Sequence, residues 1–144
     1  MRYGWSLDRQ LWGDTIPILS SSRWKRRQLD PLYADEIPAR PGVYVICSPA
    51  TPQSGTGLFG RLYNALYVGR SKDLRDRFKT HCRYPKPQLR KAIDCFPDQV
   101  DFWCLPVALD EYRHSEAILI KCLGPAVNLV EGTITARIGS EGPA

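Results

Sequence analysis

Tyr44 and Tyr67 sit in two short apolar runs, GVYVI and NALYVG, and the second run leads at once into RSKDLRDRFKTHC. A phenol can donate, accept or give up a proton, and guanidinium and ammonium groups hold phosphate oxygens. Within the basic stretch Arg77 and His81 are spaced i,i+4, which puts them on one helix face. Further on, Glu116 stands in EAILIKCL, an acid among apolar residues that needs a cationic partner, a metal ion or a proton. Phenols, a guanidinium, an imidazole and one carboxylate are groups that can serve chemistry on a phosphate ester, which needs a nucleophile, charge neutralisation and help for the leaving oxygen. Each also has a plain structural reading: core tyrosines, a solvated arginine, a histidine at a helix end and a half-buried ion-pair member.

Charge sharpens the choice. The chain has 144 residues and a net charge of +5. Residues 61–91 hold ten basic and two acidic residues, +8, so the remainder is net negative. A concentrated block of this kind is the footprint of a protein that meets a phosphate backbone. Arg70, Lys72, Arg75, Lys79 and Arg83 are the candidate nucleic-acid contacts.

The rest of the composition mostly excludes. The length fits one domain with a core of its own. No apolar run reaches the eighteen residues of a membrane span, and the N-terminus lacks the apolar stretch of a secretion signal, so a cytoplasmic protein is expected. The five cysteines are odd in number and form no C-x-x-C pair, so neither a disulfide framework nor a zinc knuckle is supported. His81 and His114 are too far apart in sequence to read as a two-histidine metal motif.

The elements that must carry these groups follow from pattern. Residues 42–46 and 64–69 read as β-branched strands, joined by a Pro/Gly/Ser-rich loop at 48–60 and paired as an antiparallel hairpin. Ser71 is the expected cap of a first helix, with Leu74 and Phe78 as its buried stripe. Pro85 and Pro87 end it, and residues 88–96 form a second helix. Residues 99–107 make a third strand with Val100, Phe102 and Cys104 on one face. A last helix, 111–124, starts at Asp110 and stops at Gly124-Pro125. Residues 1–37 read as a partly ordered, Trp-rich extension, 38–130 as the domain, and 131–144 as a loosely ordered tail. In the extension Trp24 is expected to pack on the domain.

With these residues in order, the chain resembles the GIY-YIG nuclease superfamily. The first signature stands as Gly42-Val43-Tyr44 and the second as Tyr67-Val68-Gly69. The family's helix arginine falls on Arg77, its following histidine or tyrosine on His81, its metal-binding glutamate on Glu116, and its late asparagine on Asn128. Twenty-two residues separate the tyrosines, where family members usually have about ten, and the surplus lies in the 48–60 loop, where added length costs little closure entropy.

The resemblance implies an α+β fold: a small three-stranded antiparallel sheet flanked by helices in the order β-β-α-α-β-α. It also implies that the hairpin, first helix and glutamate helix converge on one face. The implied activity is metal-dependent endonuclease cleavage of DNA, double-stranded or branched. Tyr44 would be the base and Tyr67 its support. Arg77 would hold the phosphate, His81 would assist proton transfer or contact phosphate, Asn128 would orient groups near Glu116, and Glu116 would anchor Mg2+ or another divalent cation such as Mn2+. Two other readings use the same fold: a nucleic-acid-binding module that does not cut, and a subunit that docks on a protein partner or a second copy through its tryptophans.

Overall fold

In the computed structural model, described for residue 13 and residues 16–49 and 64–125, one mixed sheet-and-helix domain surrounds a central strand. Strand β1 is Lys25–Gln28, followed by a 3₁₀ helix at Pro31–Glu36. Strands β2, Gly42–Cys47, and β3, Ala65–Ser71, form the expected antiparallel hairpin. Helices α1, Leu74–Arg83, and α2, Pro87–Asp94, lead to β4, Asp101–Pro106, and then to α3, Leu109–Leu123. The strand order in space is β1-β4-β2-β3, all pairs antiparallel.

The fold is therefore α+β as expected, but the sheet has four strands rather than three. The additional strand is the edge strand β1, which pairs Lys25 with Cys104 and Gln28 with Asp101. Its sequence, KRRQ, has no apolar alternation to reveal it. Residues 25–37, expected within the extension, thus belong to this sheet and its core, where Ala34 and Ile37 are buried. Trp24 packs on the domain, its Nε1 donating to the Ile18 carbonyl at 2.8 Å.

Strand alternation sorts the core into two layers. All six residues of β2 are buried, because helices cover both of its faces. Tyr44 and Ile46 point into one layer with Tyr67, Phe102, Leu74, Phe78 and Leu89, beneath α1 and α2. Val43, Val45 and Cys47 point into the other, with Val68, Leu105, Leu119 and Ile120, beneath α3. Leu74 and Phe78 are fully buried, as the i,i+4 stripe predicts, and each contributes about 1.5–3 kcal/mol by leaving water. Phe78 meets Phe102 edge-on at 5.0 Å. Burial also raises the thiols of Cys82, to about 11, and Cys104, to about 12, so both stay protonated. No helix among the described residues is long and apolar enough to cross a membrane.

The helix ends correct two expectations. Asp73, not Ser71, caps α1, its carboxylate accepting from the Asp76 amide at 3.1 Å. Ser71 ends β3 and brackets the turn, its hydroxyl donating to the Asp73 carbonyl at 2.8 Å. Ala108 is the N-cap of helix α3 and supplies no side-chain cap, and Asp110 lies in the first turn. Gly124 ends it at φ 54°, the left-handed conformation that favours glycine.

The two signature glycines are fixed by space. A Cβ on Gly42 would overlap the Leu105 carbonyl oxygen, and one on Gly69 would overlap the Tyr44 hydroxyl and ring. Gly69 is the cross-strand partner of Tyr44, so the ring lies across the bare backbone of β3. Gly69→Ala should destabilise the fold by about 1–3 kcal/mol through overpacking. The double variant Gly69→Ala/Tyr44→Ala should lose less than the sum of the two single losses, measured by urea unfolding. Simple additivity would show that the ring does not occupy that space.

Candidate active site

Glycine at 69 opens a window in the edge strand, and the candidate site lies around it. A cleft of ≈ 460 Å³ is lined by Tyr44, Tyr67, Arg77 and Glu116, with Arg70, Lys72, Asp73, Asp76 and Tyr112. These groups do not converge on one face of the sheet, as the resemblance implied. Helix α1 covers the tyrosine face and α3 the opposite one. They meet across the β3 edge, which Tyr44 reaches from one side over Gly69 and Glu116 reaches from the other.

Tyr44 is fully buried, and its Oη lies 2.8 Å from His81 Nε2. Burial pushes this phenol well above the usual tyrosine range; Tyr67 adds to the rise, while the Arg77 guanidinium opposes it by charge and hydrogen bonding. The hydroxyl is therefore held as a protonated phenol. His81, 4% exposed, is held down at about 4 by burial and then by the charges of Arg77 and Lys86. At neutral pH it is an uncharged imidazole. Its Nδ1 is buried without a hydrogen-bond partner among the described residues.

Tyr67 completes an aromatic triangle, its ring 6.1 Å from Tyr44 and 5.8 Å from His81. Lys86, between the two prolines that separate α1 from α2, donates to the Tyr67 hydroxyl at 3.2 Å and stands 5.3 Å from its ring centre. Neither Lys86 nor Tyr112 was singled out by sequence. Tyr112 was findable, four residues before Glu116 on one helix face. Lys86 lies in a turn without periodicity, and only the fold brings it to Tyr67.

On the other side of β3, Glu116 meets the cation its setting demanded. Arg70 Nη1 donates to Glu116 Oε1 at 2.5 Å, and the Arg70 guanidinium lies 5.5 Å from the Tyr112 ring centre. The other candidate basic contacts divide. Lys72 lines the cleft and is exposed; Lys79 and Arg83 are exposed on α1. Arg75 is occupied in holding the 3₁₀ helix, donating to the carbonyls of Ile37 at 2.9 Å and Asp35 at 3.1 Å. Asn128 and most of the 48–60 loop lie outside the described residues.

Among the described residues no three His, Cys, Asp or Glu side chains gather as a ready metal cage. Three carboxylates line the cleft: Asp73, which caps α1, Asp76 on α1, and Glu116 on α3. That donor set fits a hard cation whose remaining ligands are water and phosphate oxygens, as magnesium's usually are.

The depressed His81 links the site to stability. The unfolded histidine takes its proton near pH 6.5 and the folded one near 4, so stability should hold above pH 6.5 and fall as pH drops between these values. The loss between pH 7 and 5 should be about 2 kcal/mol. His81→Gln, which keeps a hydrogen-bonding group but cannot titrate, should lose that part of the slope in urea unfolding. An unchanged slope would mean that His81 is not held neutral.

No protein-family model matches the chain, and no curated protein does. Among solved structures the chain is similar to the GIY-YIG N-terminal endonuclease domain of UvrC from Thermotoga maritima bound to its catalytic magnesium, at 22% identity and a TM-score of 0.48, covering 67% of this chain and 92% of that one. Two point-mutant forms of the same domain, each bound to its catalytic divalent cation, are similar at 21% and 22% identity, with TM-scores of 0.47 and 0.45. They cover 67% and 64% of this chain, and 90% and 86% of theirs.

Proposed function

We propose that this chain is a divalent-metal-dependent endonuclease of the GIY-YIG type that hydrolyses phosphodiester bonds in DNA. The observation that carries the reading is the shared cleft: Tyr44, Tyr67, Arg77 and Glu116 line one cavity, with Lys72 at its wall. Six positions singled out in the sequence are Tyr44, Tyr67, Arg77, His81, Glu116 and Asn128. The first five surround this cleft or touch a residue that does.

The cleft's own groups divide the work. Arg77 supplies a planar, permanently charged donor set for the oxygens of the scissile phosphate. Glu116 would hold the divalent cation, which when bound would neutralise charge on the leaving oxygen. The raised pKa of Tyr44 argues against a standing phenolate as base. Instead the Tyr44–His81 pair works as a relay: a water gives its proton to the phenol oxygen as the phenol gives its own to His81 Nε2. An imidazolium at His81 is opposed by burial and by Arg77 and Lys86. A bound phosphate, carrying negative charge, offsets those cations and makes the transfer easier. Lys86 orients Tyr67 through its hydroxyl, and Tyr67 with it closes the aromatic wall beside Tyr44.

The expected outcomes separate cutting from binding. Glu116→Gln should abolish nicking of plasmid DNA in Mg2+ while leaving DNA affinity at matched salt nearly unchanged. Arg77→Ala should slow nicking about 10²–10³-fold. Tyr44→Phe, which keeps the ring and deletes the hydroxyl, should slow it about 10²–10⁴-fold. Each protein is checked for folding by circular dichroism. Equal cutting by wild type and all three variants would show the site to be misassigned. A wild type that binds DNA and cuts no plasmid, nicked, branched or single-stranded substrate would favour the binding module.

A further inference from the structure

Arg70 holds the carboxylate that the proposed function assigns to a metal ion. The Glu116 Oε1 is held by Arg70 Nη1 at 2.5 Å. The pair is only partly solvated, the Arg70 side chain 34% and the Glu116 side chain 18% exposed, so neither charge is fully met by water. Arg70 comes from β3 and Glu116 from α3, and Tyr112, one turn before Glu116, lies under the guanidinium. Arg70 is also the residue directly after Gly69, at the rim of the window through which Tyr44 reaches the cleft.

We propose that Arg70 is the resident cation of this site. It neutralises Glu116 until a divalent ion takes the carboxylate, and it is then released to the phosphate that the ion accompanies. This deepens the metal-dependent reading given above and rests on it. A guanidinium and a divalent ion repel each other at a shared carboxylate, so removing Arg70 removes a competitor. An anion that binds Arg70 draws it from Glu116 and so raises metal affinity, and by linkage the metal raises anion affinity equally. Metal and phosphate are then favoured together over either alone. The chain's +8 block therefore gathers phosphate without leaving Glu116 bare to repel it.

Binding of Mn2+, followed by its electron paramagnetic resonance signal, tests this without catalysis. The proteins are wild type, Arg70→Gln, Lys72→Gln and Glu116→Gln, with folding checked by circular dichroism. Arg70→Gln should bind Mn2+ about tenfold more tightly than wild type, the factor that corresponds to about 1.4 kcal/mol. Lys72→Gln removes an equal charge from the same cleft but breaks no pair with Glu116, so it should change affinity much less. Glu116→Gln should lose the site. Added sulfate, an inert stand-in for phosphate, should tighten Mn2+ binding to wild type and have little effect on Arg70→Gln. Weaker or equal binding by Arg70→Gln, with Glu116→Gln still losing the site, would overturn the competition and leave the metal reading intact. Equal gains from Arg70→Gln and Lys72→Gln would reduce the effect to general charge and overturn it as well. Absence of binding by every protein, with or without sulfate, would remove the metal reading and this inference together.

Discussion

The Tyr44 ring lies against a strand that has no side chain at the point of contact, and the site depends on that approach. Tyr44 belongs to the inner strand β2 and to the tyrosine face of the sheet. A residue so placed would normally be walled off by its neighbour on β3. Because position 69 carries only hydrogen, the phenol extends over the backbone to the sheet's edge. Its hydroxyl can then be fully buried and still border the cleft. The ring is fixed from below by Phe102, stacked at 5.0 Å, and from the side by His81. A rigid ring places its oxygen with little conformational freedom left to lose, which is what a group serving a reaction requires.

Around that oxygen, the fold arranges opposite electrostatic solutions on the two sides of β3. On the tyrosine side, burial dominates: phenol and imidazole are both kept neutral, next to cations that reinforce the neutrality of the histidine. On the glutamate side, pairing dominates, and the carboxylate stays in contact with a guanidinium. In the proposed mechanism a proton moves on one side while charge is exchanged on the other. Strand β3 lies between the two sides.

Much of this was legible in the sequence because it rests on local pattern. Leu74 and Phe78 announced the buried stripe of α1, Gly124 its counterpart's end, and the demand of Glu116 for a partner was stated by its apolar neighbours. What was missed depends on contacts between distant segments. KRRQ becomes a strand only because β4 offers a ladder, since its side chains give no period of their own. The convergence of the helices failed as an expectation because the face on which a helix packs is set by the crossover, not by the helix's own stripe. Arg75 and Lys86 look alike in sequence, two basic residues of one block. Yet one is held by the carbonyls of the 3₁₀ helix and the other by a tyrosine hydroxyl. Asp73 over Ser71 as the cap was a contest between two good capping residues two positions apart, decided by where β3 ends.

The outer strand β1 has a consequence for how the molecule behaves in a crowded solution. A sheet edge exposes unpaired amides and carbonyls on which another chain can grow. Here that edge is written in Lys25, Arg26, Arg27 and Gln28. Arg26 is held to Asp101 at 3.3 Å and Arg27 to Glu36 at 2.8 Å, so the long side chains are kept in place along the edge. A second copy approaching in register would have to set a row of cations against its own likeness. The segment that carries no apolar signal thus lines a sheet edge with charge, the pattern that disfavours edge-to-edge pairing, and it does so with the residues that hid it from view.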